Sequence, residues 1–139
     1  MPEAIVEEMR ERGVDVVETD QLEVGIANVD IVYSTRIQEE RFASQADADL
    51  YRGRFRLYQC IYTALCEPNT VIMHPLPRDS RVGAQELDED LNDDPNLAIF
   101  RQSDNGVLVR MALFALILDV ADQVDDYSKP VNWSTERRF

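Results

Sequence analysis

The sequence predicts an α/β fold built on a parallel sheet, and three observations carry that reading. Short apolar runs recur at 14–18 (VDVVE), 29–34 (VDIVYS) and 70–74 (TVIMH). Segments with helical spacing separate them, and strands alternating with helices are the pattern of parallel pairing through crossover helices. The polar stretches STRIQEER and HPLPR follow directly on the second and third runs, and open parallel sheets bind ligands outside the carboxyl ends of their strands.

Each element has its own local reason. Residues 2–12 read as a helix: Pro2 suits the first turn, Glu3 sits near the positive end, Ile5, Val6 and Met9 share a face, and Gly13 can end it. VDVVE is then a short strand, DQLEVGIANV a short helix with Asp20 as N-cap, and VDIVYS a second strand. TRIQEERF is a loop, a helix lies within 46–66, and TVIMH is the third strand. In the long polar connection that follows, Glu86, Asp88, Glu89, Asp90, Asp93 and Asp94 read as a solvated acidic loop. They lack the central glycine and alternating acids of a calcium loop. LAIFRQ (97–102) is a short strand or an extended connector, and VLVRMALFALILDVADQV is an apolar helix starting after an Asn105–Gly106 turn. DYSKPVNWSTERRF reads as a tail or arm.

Composition narrows the function. With 139 residues, 45% of them hydrophobic, the chain suffices for one domain with a core. A net charge of −13, from 27 acids against 14 bases, disfavours nucleic acid and anionic membrane as partners. Cys60 and Cys66 read as ordinary reduced thiols, and one histidine without a Cys-x-x-Cys leaves no expected metal site or cofactor. The N-terminus MPEAIVEEMRERG is acidic where a secretion signal would be positive. The longest apolar run, MALFALIL, is eight residues, too short to span a bilayer, and a cytoplasmic protein is expected.

Two constellations carry candidate chemistry. Arg36 and Gln38 lie just past a strand end; the planar arginine fork matches a carboxylate bidentately, and glutamine adds a donor and an acceptor. They suit a small dicarboxylate or amino acid, although spacing equally allows a surface ion pair of Arg36 with Glu39 or Glu40. In HPLPR, Pro75 and Pro77 lack N–H groups, so the carbonyls outnumber the donors. A stiff corner with free carbonyls can accept hydrogen bonds from an amine or amide; a rigid structural turn is the alternative. His74 by itself reads as a hydrogen-bonded structural residue rather than a base.

DIVYSTRIQEERF, VIMHPLPR and IFRQSDNGVLVRMALFALIL occur in the order and approximate spacing of the aspartate-binding domain of the aspartate carbamoyltransferase family. MPEAIVEEMRERGVDVVETDQLEVGIANVDIVY resembles the stretch preceding them, so the resemblance covers about residues 1–120. The sister ornithine enzymes usually carry His-Cys-Leu-Pro at the third strand, and Pro75 in place of that cysteine points to aspartate. The resemblance implies transfer of a carbamoyl group from carbamoyl phosphate to the α-amino group of L-aspartate, the committed step of pyrimidine synthesis. Arg36 and Gln38 match residues that bind aspartate. Pro75 and Leu76 match those whose backbone carbonyls hold the carbamoyl group and the amine. A cis Leu76–Pro77 bond is implied, as are roles for Arg78 and Arg110 in loop-stabilising ion pairs. Glu39 stands where the family commonly has lysine, which removes a cation near the anionic substrates, and the 79–94 connection is longer and more acidic than usual.

The same resemblance implies a partial doubly wound (Rossmann-like) parallel sheet flanked by helices, truncated at its N-terminal side. The family's carbamoyl-phosphate domain with its Ser-x-Arg-Thr-Arg signature, and the Gly-Asp-x-x-x-x-Arg-Thr stretch of the aspartate domain, have no match in the chain. The expectation is therefore the C-terminal part of the aspartate domain (1–122) with a tail (123–139), inactive alone, whose full-length enzyme is a homotrimer. A non-catalytic amino-acid-binding or regulatory module and a paralogous carbamoyltransferase for another amino acid are the alternatives. With two family strands missing between VDVVE and VDIVYS, three arrangements are open: direct pairing of those two runs, a gap filled by another chain, or a two-stranded sheet with VDVVE detached.

Overall fold

The computed structural model describes residues 1–124 and 126. Most of the expected tail lies outside the described residues. Strand β1 (Ile31–Tyr33) pairs in parallel with β2 (Val71–Met73), with Ile31 opposite Val71 and Tyr33 opposite Met73. Helices α1 (Glu3–Glu11) and α2 (Leu22–Ile26) precede β1, and α3 (Gln45–Asp49) and α4 (Gln59–Leu65) lie between the strands. After β2 comes a long connection and then α5 (Ile99–Ile117).

The sheet is the third of the arrangements above. Residues 14–18 form no strand. A strand exists through its neighbour's backbone groups, and here those of 14–18 are bound locally: Val14 N–H closes the end of α1 onto Met9 O at 3.0 Å, past Gly13 at φ +80°, and Arg10 holds Val16 O at 3.2 Å. On its other edge β2 is covered by the segment entering α5, with Ile72 N–H bonded to Asn96 O (3.0 Å) and Ile72 O accepting from Ala98 N–H (2.8 Å).

Four other expectations are corrected. Asp20 does not cap α2; its carboxylate pairs with Arg54 at 2.9 Å, and the residue before the helix is Gln21, with no side-chain cap. LAIFRQ is not a strand, and the Asn105–Gly106 pair is not a turn: α5 starts at Ile99 and runs through both. The fully buried Ile99 side chain anchors that first turn in the core, and one interior glycine costs a helix only about 1 kcal/mol. The acidic connection is not simply solvated. Leu87 and Leu91 are fully buried, Glu86 is 3% exposed, and Leu57 N–H bonds Glu86 O at 2.8 Å.

The core gathers Ile26, Leu57, Tyr62, Ile72, Leu87, Leu91, Leu97 and Ile99 around β2. Tyr62 keeps its hydroxyl satisfied inside this cluster by donating to Thr70 O at 2.6 Å and accepting from Asn96 at 2.9 Å. Among the described residues, no helix is long and apolar enough to cross a membrane.

Ile72 is inaccessible and lies in the core cluster, so Ile72→Ala should lower stability by about 2–5 kcal/mol, the range for a buried aliphatic truncated in a core. Val82, 97% exposed, is the matched control, and Val82→Ala should change the unfolding free energy from urea titration by less than about 0.5 kcal/mol.

Candidate functional site

Because β1 and β2 are parallel neighbours in register, the loops after them leave the same edge of the sheet. Ser34 N–H extends the ladder by one bond to Met73 O at 2.9 Å. From there one loop carries Thr35 to Phe42, and the other carries His74 to Arg78. The four residues singled out from the sequence, Arg36, Gln38, Pro75 and Leu76, are thereby delivered to one side of the domain.

Arg36 makes the ion pair that spacing allowed. Its guanidinium grips Glu40 through two nitrogens, at 2.7 and 3.3 Å, and also reaches Ile37 O at 3.4 Å. Both side chains are well exposed, at 40% and 57%. Gln38 is exposed, and its side chain bonds no described residue. At the corner, the Leu76–Pro77 bond is cis and Leu76 has φ +54°. Leu76 N–H is turned back onto His74 Nδ1 at 2.9 Å. No described residue donates to the carbonyls of Pro75 or Leu76, and they remain open acceptors.

The corner rests on His74, which is 1% exposed. Its N–H donates to Gln102 Oε1 at 3.0 Å, and Gln102 in turn donates to the Tyr33 hydroxyl at 2.8 Å, joining both strand ends to α5. His74 Nε2 lies 2.8 Å from Glu86 Oε1 without the alignment of a hydrogen bond. Burial holds His74 below the usual histidine range, against the pull of Glu86. The Leu76 N–H acts in the same direction, since Nδ1 can accept it only while unprotonated.

Several contributors were not legible from spacing. Glu39, expected to subtract positive charge, is held by Arg52 (3.1 Å) and Arg81 (2.7 Å), which keep its carboxyl down at about 2. Arg78 makes no ion pair with a described residue; it bonds Asn92 Oδ1 at 2.9 Å and Asp88 O at 3.3 Å. Arg110 lies on α5 and makes no ion pair with a described residue. A cavity of about 380 Å³ opens between α2 and the free edge of β1, lined by Ile26, Ile31, Tyr33 and Phe55 and reaching Thr35 and Ile37 on either side of Arg36. Among the described residues no three His, Cys, Asp or Glu side chains converge as metal ligands do.

The family described as aspartate/ornithine carbamoyltransferase, Asp/Orn binding domain, matches residues 1–117. The aspartate carbamoyltransferase catalytic subunit of Saccharophagus degradans is 70% identical over the whole of this chain, and that of Cellvibrio japonicus 69% over 99% of it. The chain spans about 41% of the length of these curated relatives. Among solved structures, aspartate transcarbamoylase from Trypanosoma cruzi in complex with carbamoyl phosphate and aspartate is 31% identical with a TM-score of 0.68, over 82% of this chain and 36% of that one.

A pH dependence follows from His74. Its folded pKa lies below the ordinary 6.5, so below that pH the unfolded chain binds a proton that the folded chain refuses. Stability should be complete above about pH 6.5 and fall as the solution is acidified from there. The depressed carboxyl of Glu39 acts in a separate window, its contribution being lost only as pH falls from 4.5 towards about 2. Urea midpoints measured at pH 7.5 and 5.5 should show the first loss, and His74→Gln should flatten it.

Proposed function

Because the chain belongs to the aspartate/ornithine carbamoyltransferase family through its Asp/Orn binding domain, we propose that it forms the aspartate-binding part of an aspartate carbamoyltransferase. The enzyme would transfer the carbamoyl group of carbamoyl phosphate to L-aspartate, giving N-carbamoyl-L-aspartate for de novo pyrimidine synthesis. The observation that carries this reading is the placement of a carboxylate-matching arginine and two open carbonyls on adjacent loops at one edge of a parallel sheet. Pro75 and the naming of the relatives favour aspartate over ornithine.

Arg36 grips a carboxylate of aspartate, exchanging Glu40 for it. Exposed ion pairs contribute little to stability, so releasing Glu40 is a small obstacle. Gln38 adds a hydrogen bond from the same loop. The carbonyls of Pro75 and Leu76 accept N–H groups from the carbamoyl amide and the incoming amine, setting nitrogen against the carbonyl carbon. The new C–N bond forms as the C–O bond to phosphate breaks. Stabilising the departing phosphate calls for cationic donors, and the Ser-x-Arg-Thr-Arg cradle that would supply them has no match among these 139 residues. The division into an aspartate part (1–122) and a tail (123–139), a carbamoyl-phosphate domain as partner, a homotrimeric intact enzyme and a cytoplasmic location complete the proposal.

Two measurements test it. The purified 139-residue chain should form no carbamoyl-aspartate above background when given both substrates; detectable turnover would overturn the assignment of roles. In the intact enzyme, Arg36→Ala should raise the aspartate KM steeply and lower kcat, by about ten- to a hundredfold together, the worth of a charged hydrogen-bond clamp. Saturation by aspartate like that of the unaltered enzyme would remove Arg36 from the site.

A further inference from the structure

Glu39 sits between the residues that face the ligand and the clamp that restrains one of them. Arg36 and Gln38 precede it, Glu40 follows, and it opens the 3-10 turn Glu39–Arg41. Its side chain is only 15% exposed, in contrast with that of Glu40. Two guanidinium groups converge on it. Arg52, 13 residues on, donates Nε and Nη2 to the two carboxylate oxygens at 3.1 Å each. Arg81, 42 residues on, donates to the same pair at 2.7 and 3.2 Å.

Arg81 also carries the connection onward. It binds Asp79 through Nε at 3.0 Å and Nη2 at 2.6 Å, while Asp79 main-chain N–H donates to the buried Glu86 carboxylate at 3.1 Å. Glu86 lies against His74, the residue before Pro75. A continuous charged chain thus runs from the loop of Arg36 and Gln38 to the base of the carbonyl corner. Arg52 also pairs with Asp49 at 2.9 Å, so at the centre three acids, Glu39, Asp79 and Asp49, face the two bases Arg52 and Arg81.

We propose that Glu39 is a positioning residue that locks the Arg36–Gln38 loop to the Pro75–Leu76 corner through Arg81, and so sets the affinity for the amino-acid substrate. The inference rests on the function proposed above. Bidentate pairs fix orientation as well as distance, and a carboxylate that receives two of them holds the turn on two sides. Arg36 and the open carbonyls must act on opposite ends of one small molecule. Their relative placement therefore matters more than either loop's own stability.

Electrostatics and positioning predict opposite results for one substitution. Glu39→Gln removes one negative charge from this cluster, a change that by itself would attract a dicarboxylate and lower its KM. Loss of the lock should instead raise the aspartate KM of the intact enzyme by about tenfold, with little change in the KM for carbamoyl phosphate. A merely structural defect would reduce the amount of folded enzyme and hence kcat, leaving the aspartate KM in place. Arg81→Ala should reproduce the KM rise, and the double variant should be no worse than either single one, because both remove the same link. An unchanged or lowered aspartate KM in Glu39→Gln, or additive effects in the double variant, would overturn the proposal. If Arg36→Ala raises the aspartate KM while Glu39→Gln does not, this inference alone fails; if Arg36→Ala has no effect, it falls with the reading beneath it.

Discussion

The backbone of β2 is the constraint on which the rest depends. In a parallel strand successive residues bond to opposite sides, and β2 uses both: Val71 and Met73 bond towards β1, while Ile72 bonds Asn96 and Ala98. Ile72 is also inaccessible, so its polar groups have no recourse to water. Satisfying them fixes the start of α5 on one side, while Val71 and Met73 fix β1 on the other. The register of β1 against β2 then aims two loops off one edge. The proposed binding arrangement rests on three pairs of residues in a ladder.

Around that ladder the domain places its charges unevenly. The chain carries −13 overall, yet the region beyond the strand ends is crossed by arginines whose charge is matched locally. Arg36 is held by an exposed, exchangeable partner, whereas Arg81 is held by two carboxylates that are 15% and 11% exposed. Arg81 has two well-covered partners where Arg36 has one exposed partner, so Arg81 is the more firmly held. The neutral, buried His74 supports the corner without adding charge beneath it.

Much of α5 is apolar on surfaces that the described residues leave uncovered, with Leu108, Phe114 and Ile117 between 64% and 76% exposed. A helix apolar on all sides is ordinarily buried on all sides. The free edge of β1 and the cavity beside it are similarly open.

What the sequence determined by itself was whatever the chain decides locally. Pro75 and Pro77 impose a corner wherever they stand, α1 follows from its own periodicity and ends, and the apolar triplets of β1 and β2 are flanked by their own punctuation. The quoted motifs placed Arg36, Gln38, Pro75 and Leu76 after those strands. Tertiary structure decided the rest, because the competing interactions lie far apart in the chain. Residues 14–18 have the composition of a strand but no neighbour to complete one. Asp20 has the chemistry of a cap but is taken by Arg54, 34 residues away. Residues 97–102 become the start of a helix because Ile99 is buried in the core built on β2. Glu39 reads as a misplaced charge until Arg52 and Arg81 are brought to it. Pairings across 13, 34 and 42 residues leave no periodic trace in a sequence, since only the folded backbone sets which side chains meet.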